Sequence, residues 1–261
     1  MTAVDMRDSR LGSDGAGLFV RSWTPANGRG RAPIVLFHDS LGCVQLWRRF
    51  PETLAIATGR PVIAYDRLGF GRSDPHPGRL ALDFVSAEAR AAIPLLQDGL
   101  RFDAFVACGH SVGGGMAVEA AARFPAHCEA LITMSAQAFV DDRILHGIRE
   151  AKAKFASEGT ISKLSTYHGA KAGWVFDSWT ETWLDPRFRN WSLDDALGRI
   201  ACPVLAIHGD LDEYGSEDHP RRIAGTGGRA ELLSGIGHVP HREAEESVAG
   251  SIARFLVEAG S

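Results

Sequence analysis

The chain has 261 residues, 28 basic and 32 acidic, for a net charge of −4, and 45% of it is apolar. That length admits one large α/β domain with room for an insertion. The mixed charges argue against nucleic acid or an anionic membrane as the main partner, and no apolar stretch approaches membrane-spanning length. The polar start, Met1 to Asp8, leads us to expect no signal peptide, and the scattered Cys43, Cys108, Cys128 and Cys202 read as free thiols of a reducing, cytoplasmic compartment.

Taken in order, Gly12, Gly15 and Gly17 mark a turn before a strand over Leu18 to Trp23. A Gly- and Arg-rich loop spans Pro25 to Pro33. Ile34-Val-Leu-Phe37 is then wholly apolar, the pattern of a parallel strand covered on both faces. It runs into His38-Asp39-Ser40-Leu41-Gly42, a polar loop in which Asp39 or Ser40 is placed to cap a helix or, alternatively, the Ser40 N–H to receive an oxyanion. Gln45 to Thr58 carries apolar residues at helical spacing, with Pro51 in the first turns. Pro61 to Tyr65 is the next strand. The Asp66-Arg67-Leu68-Gly69-Phe70-Gly71-Arg72-Ser73 loop after it reads as a sharp structural turn holding an ion pair. A phosphate loop is the competing reading, and the absence of a lysine and a helix start after the glycines argues against it. Asp83 to Leu96 reads as a helix broken or kinked near Pro94.

Phe105 to Cys108 is another buried strand, and Met116 to Phe124 a helix. Between them stands Gly109-His110-Ser111-Val112-Gly113. A Gly-x-Ser-x-Gly turn of this kind strains the serine backbone and lifts its hydroxyl above the sheet edge, at the positive end of the helix. A strand follows at Ala130 to Ser135. From Gln137 to Arg199 the alternation lapses for roughly sixty residues, too long for a bare loop, so a helical cap is expected there. It holds Trp174, Trp179, Trp183 and Trp191 with Phe139, Phe176 and Phe188, of which two or three are expected to face a ligand. Pro203 to Ile207 and Ala230 to Leu233 resume the strands, and Ser247 to Glu258 closes the chain as an amphipathic helix.

A serine hydroxyl needs a base, and the base an acid. His238, in a Gly-flanked loop after the last strand, is the candidate base. Asp210 and Asp212 compete as acid on the loop after the preceding strand. We favour Asp212, because Gly209-x-x-Asp212 carries it past the strand end, and expect Asp210 to bond the loop backbone. His110 reads as a buried supporting residue facing the site, and His241 as an exposed one. His208, Asp210, Asp212 and His219 have no recognised metal-ligand spacing, and Cys43 reads as a buried thiol.

Over nearly its whole length the chain resembles the α/β-hydrolase superfamily. The resemblance rests on His38-Asp39-Ser40, the Asp66 to Ser73 stretch, Gly109 to Gly113, Gly209-x-x-Asp212 and Gly237-His238. It implies an α/β fold with a mostly parallel, doubly wound sheet of about eight strands. The core would comprise residues 1–136 and 200–261, and a helical cap residues 137–199. It implies a Ser111, Asp212, His238 triad in the family's chain order, with the Ser40 and Val112 amides as oxyanion hole. The cap and its surroundings would supply a pocket from His110, Phe139, Trp174, Trp179 and Trp183 for a small or medium hydrophobic ester, in a monomer or homodimer without cofactor or metal. Carbon–carbon bond hydrolases, aminopeptidases, lactonases and cofactor-free perhydrolases use the same triad. A weakly catalytic receptor is the competing class. A serine in place of aspartate at the elbow argues against dehalogenase or epoxide hydrolase chemistry. One departure from the family is Asp39 where many relatives have glycine, which puts a carboxylate near the site.

Overall fold

A computed structural model describes residues 3–28, 30–157 and 160–260. Met1 and Thr2 of the polar start, and Arg29 of the Gly- and Arg-rich loop, lie outside the described residues. Eight strands form one sheet: β1 (Val4–Leu11), β2 (Leu18–Pro25), β3 (Ile34–Phe37), β4 (Val62–Tyr65), β5 (Phe105–His110), β6 (Cys128–Met134), β7 (Val204–Gly209) and β8 (Arg229–Leu233), in the order β1-β2-β4-β3-β5-β6-β7-β8. β2 runs antiparallel to both its neighbours, and every pairing from β4 to β8 is parallel.

The helices are α1 (Phe50–Thr58), α2 (Phe84–Leu100), α3 (Val112–Arg123), α4 (Asp142–Ser157), α5 (Thr160–His168), α6 (Ala172–Trp183), α7 (Asp194–Leu197), α8 (Asp218–Ala224), α9 (Pro240–Glu243) and α10 (Glu245–Glu258). The period-two alternation of strand side chains divides the core. Ile34, Leu36, Val62, Ala64, Val106 and Cys108 pack beneath α1 and α10. Val35, Phe37, Ile63, Tyr65 and Ala107 pack beneath α2 and α3. The central strands are buried on both sides, which is why they read as unbroken apolar runs. α4, α5 and α6 pack on one another between β6 and β7, and Ile144 and Ile148 of α4 join the α2–α3 side of the core. Among the described residues no helix is long and apolar enough to cross a membrane.

Several elements differ from the sequence expectations. β1 was not expected: its VDMRDSRL sequence is mostly exposed, and it exists as an edge strand because it pairs along its whole length with β2. α8 also escaped notice, being only seven residues long. The expected helix over Gln45 to Thr58 is two pieces, a 3-10 turn at Val44–Trp47 and α1, separated by Arg48 at φ 55°. The split has a local cause: the Val44 N–H is bound by the Asp66 carboxylate at 2.6 Å, and Pro51 sits in the first turn of α1. α2 runs through Pro94 unbroken, its apolar stripe Ala89, Ala92, Ile93 and Leu96 anchoring it across the missing hydrogen bond.

The turn from β5 to α3 is the tightest join in the fold. Ser111 sits at φ 55°, ψ −127°, a strained conformation for a residue with a Cβ. A Cβ on Gly109 would lie 2.0 Å from the Gly113 carbonyl oxygen, and one on Gly113 would lie 2.1 Å from the Phe37 carbonyl oxygen. Both obstacles are backbone, so neither can swing aside. Gly109→Ala and Gly113→Ala are each expected to cost about 3 kcal/mol, read as a lowered urea midpoint. A midpoint equal to that of the unaltered protein would contradict this account of the turn.

Candidate active site

Three side chains from three strand ends meet above the sheet. Ser111 follows β5, Asp212 lies on the loop after β7, and His238 lies on the loop after β8. His238 Nε2 is 3.1 Å from Ser111 Oγ, and His238 Nδ1 is 2.9 Å from each Asp212 carboxylate oxygen. Ser111 and Asp212 are buried. The other candidate acid, Asp210, points elsewhere. It accepts the Ser234 hydroxyl at 3.0 Å and the Gly235 N–H at 2.7 Å, holding the loop that carries the histidine.

Asp212 is surrounded by donors. The Tyr214 N–H reaches Oδ1 at 2.8 Å, and His208 Nε2 lies 3.1 Å from Oδ2. Burial works against its charge, but His208 and His238 outweigh that and hold the carboxyl well below the usual range. Arg143 of α4 donates to the Asp212 backbone carbonyl, tying this loop to the inserted helices. His208 was one of the histidines set against a metal site. It is instead a second imidazole on the acid, and among the described residues no group of three or more ligating side chains could hold a metal ion.

The Ser40 loop borders the same cavity as Ser111. Among the described residues, neither the Ser40 nor the Val112 N–H is engaged by another group. Asp39 joins the two halves of this arrangement. Its Oδ1 accepts the Leu41 N–H at 2.8 Å, and its Oδ2 lies 3.2 Å from His110 Nδ1. The other ring nitrogen of His110 is 2.7 Å from the His238 carbonyl oxygen. One imidazole thus spans from the Ser40 loop to the His238 loop, with Ser111 next to it in the chain. Burial opposes the Asp39 charge, and the contact with His110 overcomes it, so this carboxyl too is held well below its ordinary value.

A cavity of about 310 Å³ opens over Ser111. His110, Trp179 and Trp183 line it as expected, with Leu41, Leu46, Ile144, Ile148 and Leu164 making most of its apolar wall. Two of the expected pocket residues lie elsewhere. Phe139 packs on His219, with ring centroids 4.5 Å apart. Trp174 stacks on His76 and donates its indole N–H to the Gly78 carbonyl at 2.7 Å, fastening α6 to the core. Which face of a helix between β6 and β7 an aromatic occupies depends on the docking of that helix, and the sequence alone carries no sign of it. His241 is corrected as well. It is buried, packed against Trp47 and His110 with both centroid distances 4.6 Å, and burial keeps its pKa well below the ordinary histidine value.

Gln137, just after β6, was missed. It is buried, lines the cavity and accepts from the Ser111 hydroxyl at 3.4 Å. Its only sequence signal is its place at a strand's carboxyl end. The expected ion pair in the Asp66 loop does not form between Asp66 and Arg67. Asp66 accepts the Val44 and Arg72 N–H groups, whereas Arg67 lies over the Phe70 ring at 4.0 Å and donates to the Asp39 carbonyl. The loop is held by backbone donors, as its two glycines allow.

A family model described as alpha/beta hydrolase fold matches residues 32–182. Among curated proteins, the human serine hydrolase BPHL is 32% identical over 160 residues, covering 58% of this chain and 53% of that protein. The match thus spans about half the length of that relative. The non-heme chloroperoxidase of Streptomyces lividans is 27% identical over 233 residues, 77% of this chain and 80% of that protein. Among solved structures, a thermophilic esterase from Thermogutta terrifontis superposes with a TM-score of 0.74 over 98% of this chain and 100% of that one, at 19% identity. A likeness at that identity speaks to the fold alone.

The depressed native value of Asp212 makes stability pH-dependent in one direction. The contribution is complete above the ordinary aspartate value, about 3.9, and is lost as pH falls toward the native value. The stability gap between the unaltered protein and Asp212→Asn, measured by urea denaturation, is expected to narrow as pH drops from about 5 to about 3. A gap that stays constant over that interval would show that the carboxylate is not stabilised by its neighbours.

Proposed function

Because the chain belongs to the α/β-hydrolase family, we propose that it is a serine hydrolase acting on small to medium hydrophobic carboxylic esters through an acyl-enzyme. The observation that carries this reading is the unbroken contact from Ser111 Oγ to His238 Nε2, 3.1 Å, and from His238 Nδ1 to Asp212, 2.9 Å. Ser111 attacks the ester carbonyl as His238 takes its proton. The oxyanion that develops is received by the Ser40 and Val112 N–H groups, which stand free for it. The tetrahedral species collapses when His238 returns the proton to the departing alcohol. Water, activated by the same imidazole, then releases the acid and restores Ser111. Asp212, buried and ionised, keeps the Nδ1–H tautomer and balances the imidazolium that forms in each half-reaction.

Residues 137–199 act in this reading as a cap whose apolar wall receives the hydrophobic part of the substrate. Lactones, vinylogous diketones and acyl transfer to peroxide call on the same three side chains. A panel of p-nitrophenyl esters of graded chain length beside lactones, diketones and amino-acid arylamides ranks these substrates by kcat/KM. An ester preference is expected.

The reading is tested without knowing the natural substrate by reaction with a fluorophosphonate and mass spectrometry of the labelled peptide. The adduct is expected on Ser111, and an adduct elsewhere, or none, refutes it. Ser111→Ala should lose about four decades of kcat while unfolding at the same temperature. Asp212→Asn is expected to lower kcat by about four decades, and Asp210→Asn far less. The reverse order would assign the acid to Asp210.

A further inference from the structure

We propose that the substrate carries a carboxylate seated by Lys163 and Arg242 at the mouth of the cavity, with its apolar body against the cap and its scissile carbonyl at Ser111. This rests on the serine-hydrolase reading and narrows it to a substrate class. Three of the described lining residues bring full charges to the cavity besides its histidines: Asp39, Lys163 and Arg242. The negative one is spent as an acceptor, though it keeps its charge. Both oxygens of Asp39 are engaged, one by the Leu41 N–H and the other by His110. The positive ones are not. Lys163 on α5 and Arg242 on α9 are exposed, and neither has an acidic partner among the described residues.

The surface beyond Arg242 carries both signs, with one more cation than carboxylate. An adjoining groove shares Arg242 and Val239 with the cavity and adds Arg48 and Arg49. Its two carboxylates are already committed, Glu243 to the Gly237 and Val239 N–H groups and Glu245 to the Thr53 hydroxyl. Cavity and groove together therefore carry four cations, Arg48, Arg49, Lys163 and Arg242, against three carboxylates, Asp39, Glu243 and Glu245, a slight positive excess in a chain whose net charge is −4. Such a local field draws anions to the site and repels cations. A guanidinium fork and an ammonium are both groups that bind a carboxylate. Tyr167 and Tyr214 also line the cavity, each carrying a hydroxyl able to donate to an oxygen anion.

Two pairs of esters matched in size test this, one with the charge on the acyl side and one with it on the alcohol side. The first pair is p-nitrophenyl valerate and mono-p-nitrophenyl glutarate. The second is 4-ethylphenyl butyrate and 4-(carboxymethyl)phenyl butyrate. In at least one pair the anionic member is expected to show about ten-fold higher kcat/KM, chiefly through KM. That ratio should fall toward one in the Lys163→Ala, Arg242→Ala double variant, and in about 1 M salt, where screening is felt within about 3 Å. Equal or better turnover of the neutral member in both pairs overturns the proposal and leaves the serine reading standing. So does a preference that survives the double variant. Failure of all four esters, with no fluorophosphonate adduct on Ser111, overturns both.

Discussion

Everything at the site depends on how closely α3 passes over β5 and β3. The Gly113 position faces the Phe37 carbonyl and the Gly109 position faces the Gly113 carbonyl, each at a distance no side chain could share. That approach forces the Ser111 backbone to φ 55°. Strain of this kind costs about 1–3 kcal/mol and persists only where the surroundings impose it. Here the imposing elements are two buried strands and a helix that bury apolar side chains on both faces of the sheet. The core stabilises the turn, and the turn sets the direction of the serine hydroxyl.

The electrostatics around that hydroxyl form two parallel arrangements. In one, Asp212 is gripped between His208 and His238. In the other, Asp39 holds His110, and His110 in turn reaches the His238 carbonyl. A buried carboxylate without donors would be expensive to keep charged. Both of these have donors enough to stay ionised, and both are tied to the loops around Ser111. Asp39 therefore does more than shape its own loop. It links the loop bearing the Ser40 amide to the loop bearing His238 through a single ring.

The inserted helices are fastened at several points of different chemistry. His168 takes the Gly71 N–H on Nδ1 and lies 3.0 Å from the Leu41 carbonyl on Nε2, and Lys171 donates to the Gly71 and Ser73 carbonyls. Trp174 adds its bond to Gly78, and Arg143 the contact with Asp212. These explain why the Asp66 to Ser73 loop is rich in glycine and backbone-directed contacts: it is the seat of the helices that wall the cavity. Trp179 and Trp183 face the cavity, whereas the tryptophan that docks the helix faces the seat.

The sequence by itself pointed to the central parallel strands, to the tight turn at Ser111 and to Asp212 rather than Asp210 as the partner of His238. The reason is that each of these is written locally. An apolar run of four, bounded by turn residues and too short for a helix, fits a strand buried on both faces, glycines flanking a serine permit a tight turn, and two residues of spacing carry Asp212 further past the strand end than Asp210. What only the tertiary structure decided was set by partners distant in the chain. β1 is polar and exists because β2 offers it a ladder of hydrogen bonds. His241 is buried because Trp47 and His110 close over it, and Gln137 comes beside Ser111 because β6 lies next to β5. Phe139 and Trp174 turned away from the cavity for the same reason. A helix's own pattern says which side is apolar, but only the neighbours it docks against decide which apolar residues meet a ligand and which meet the core.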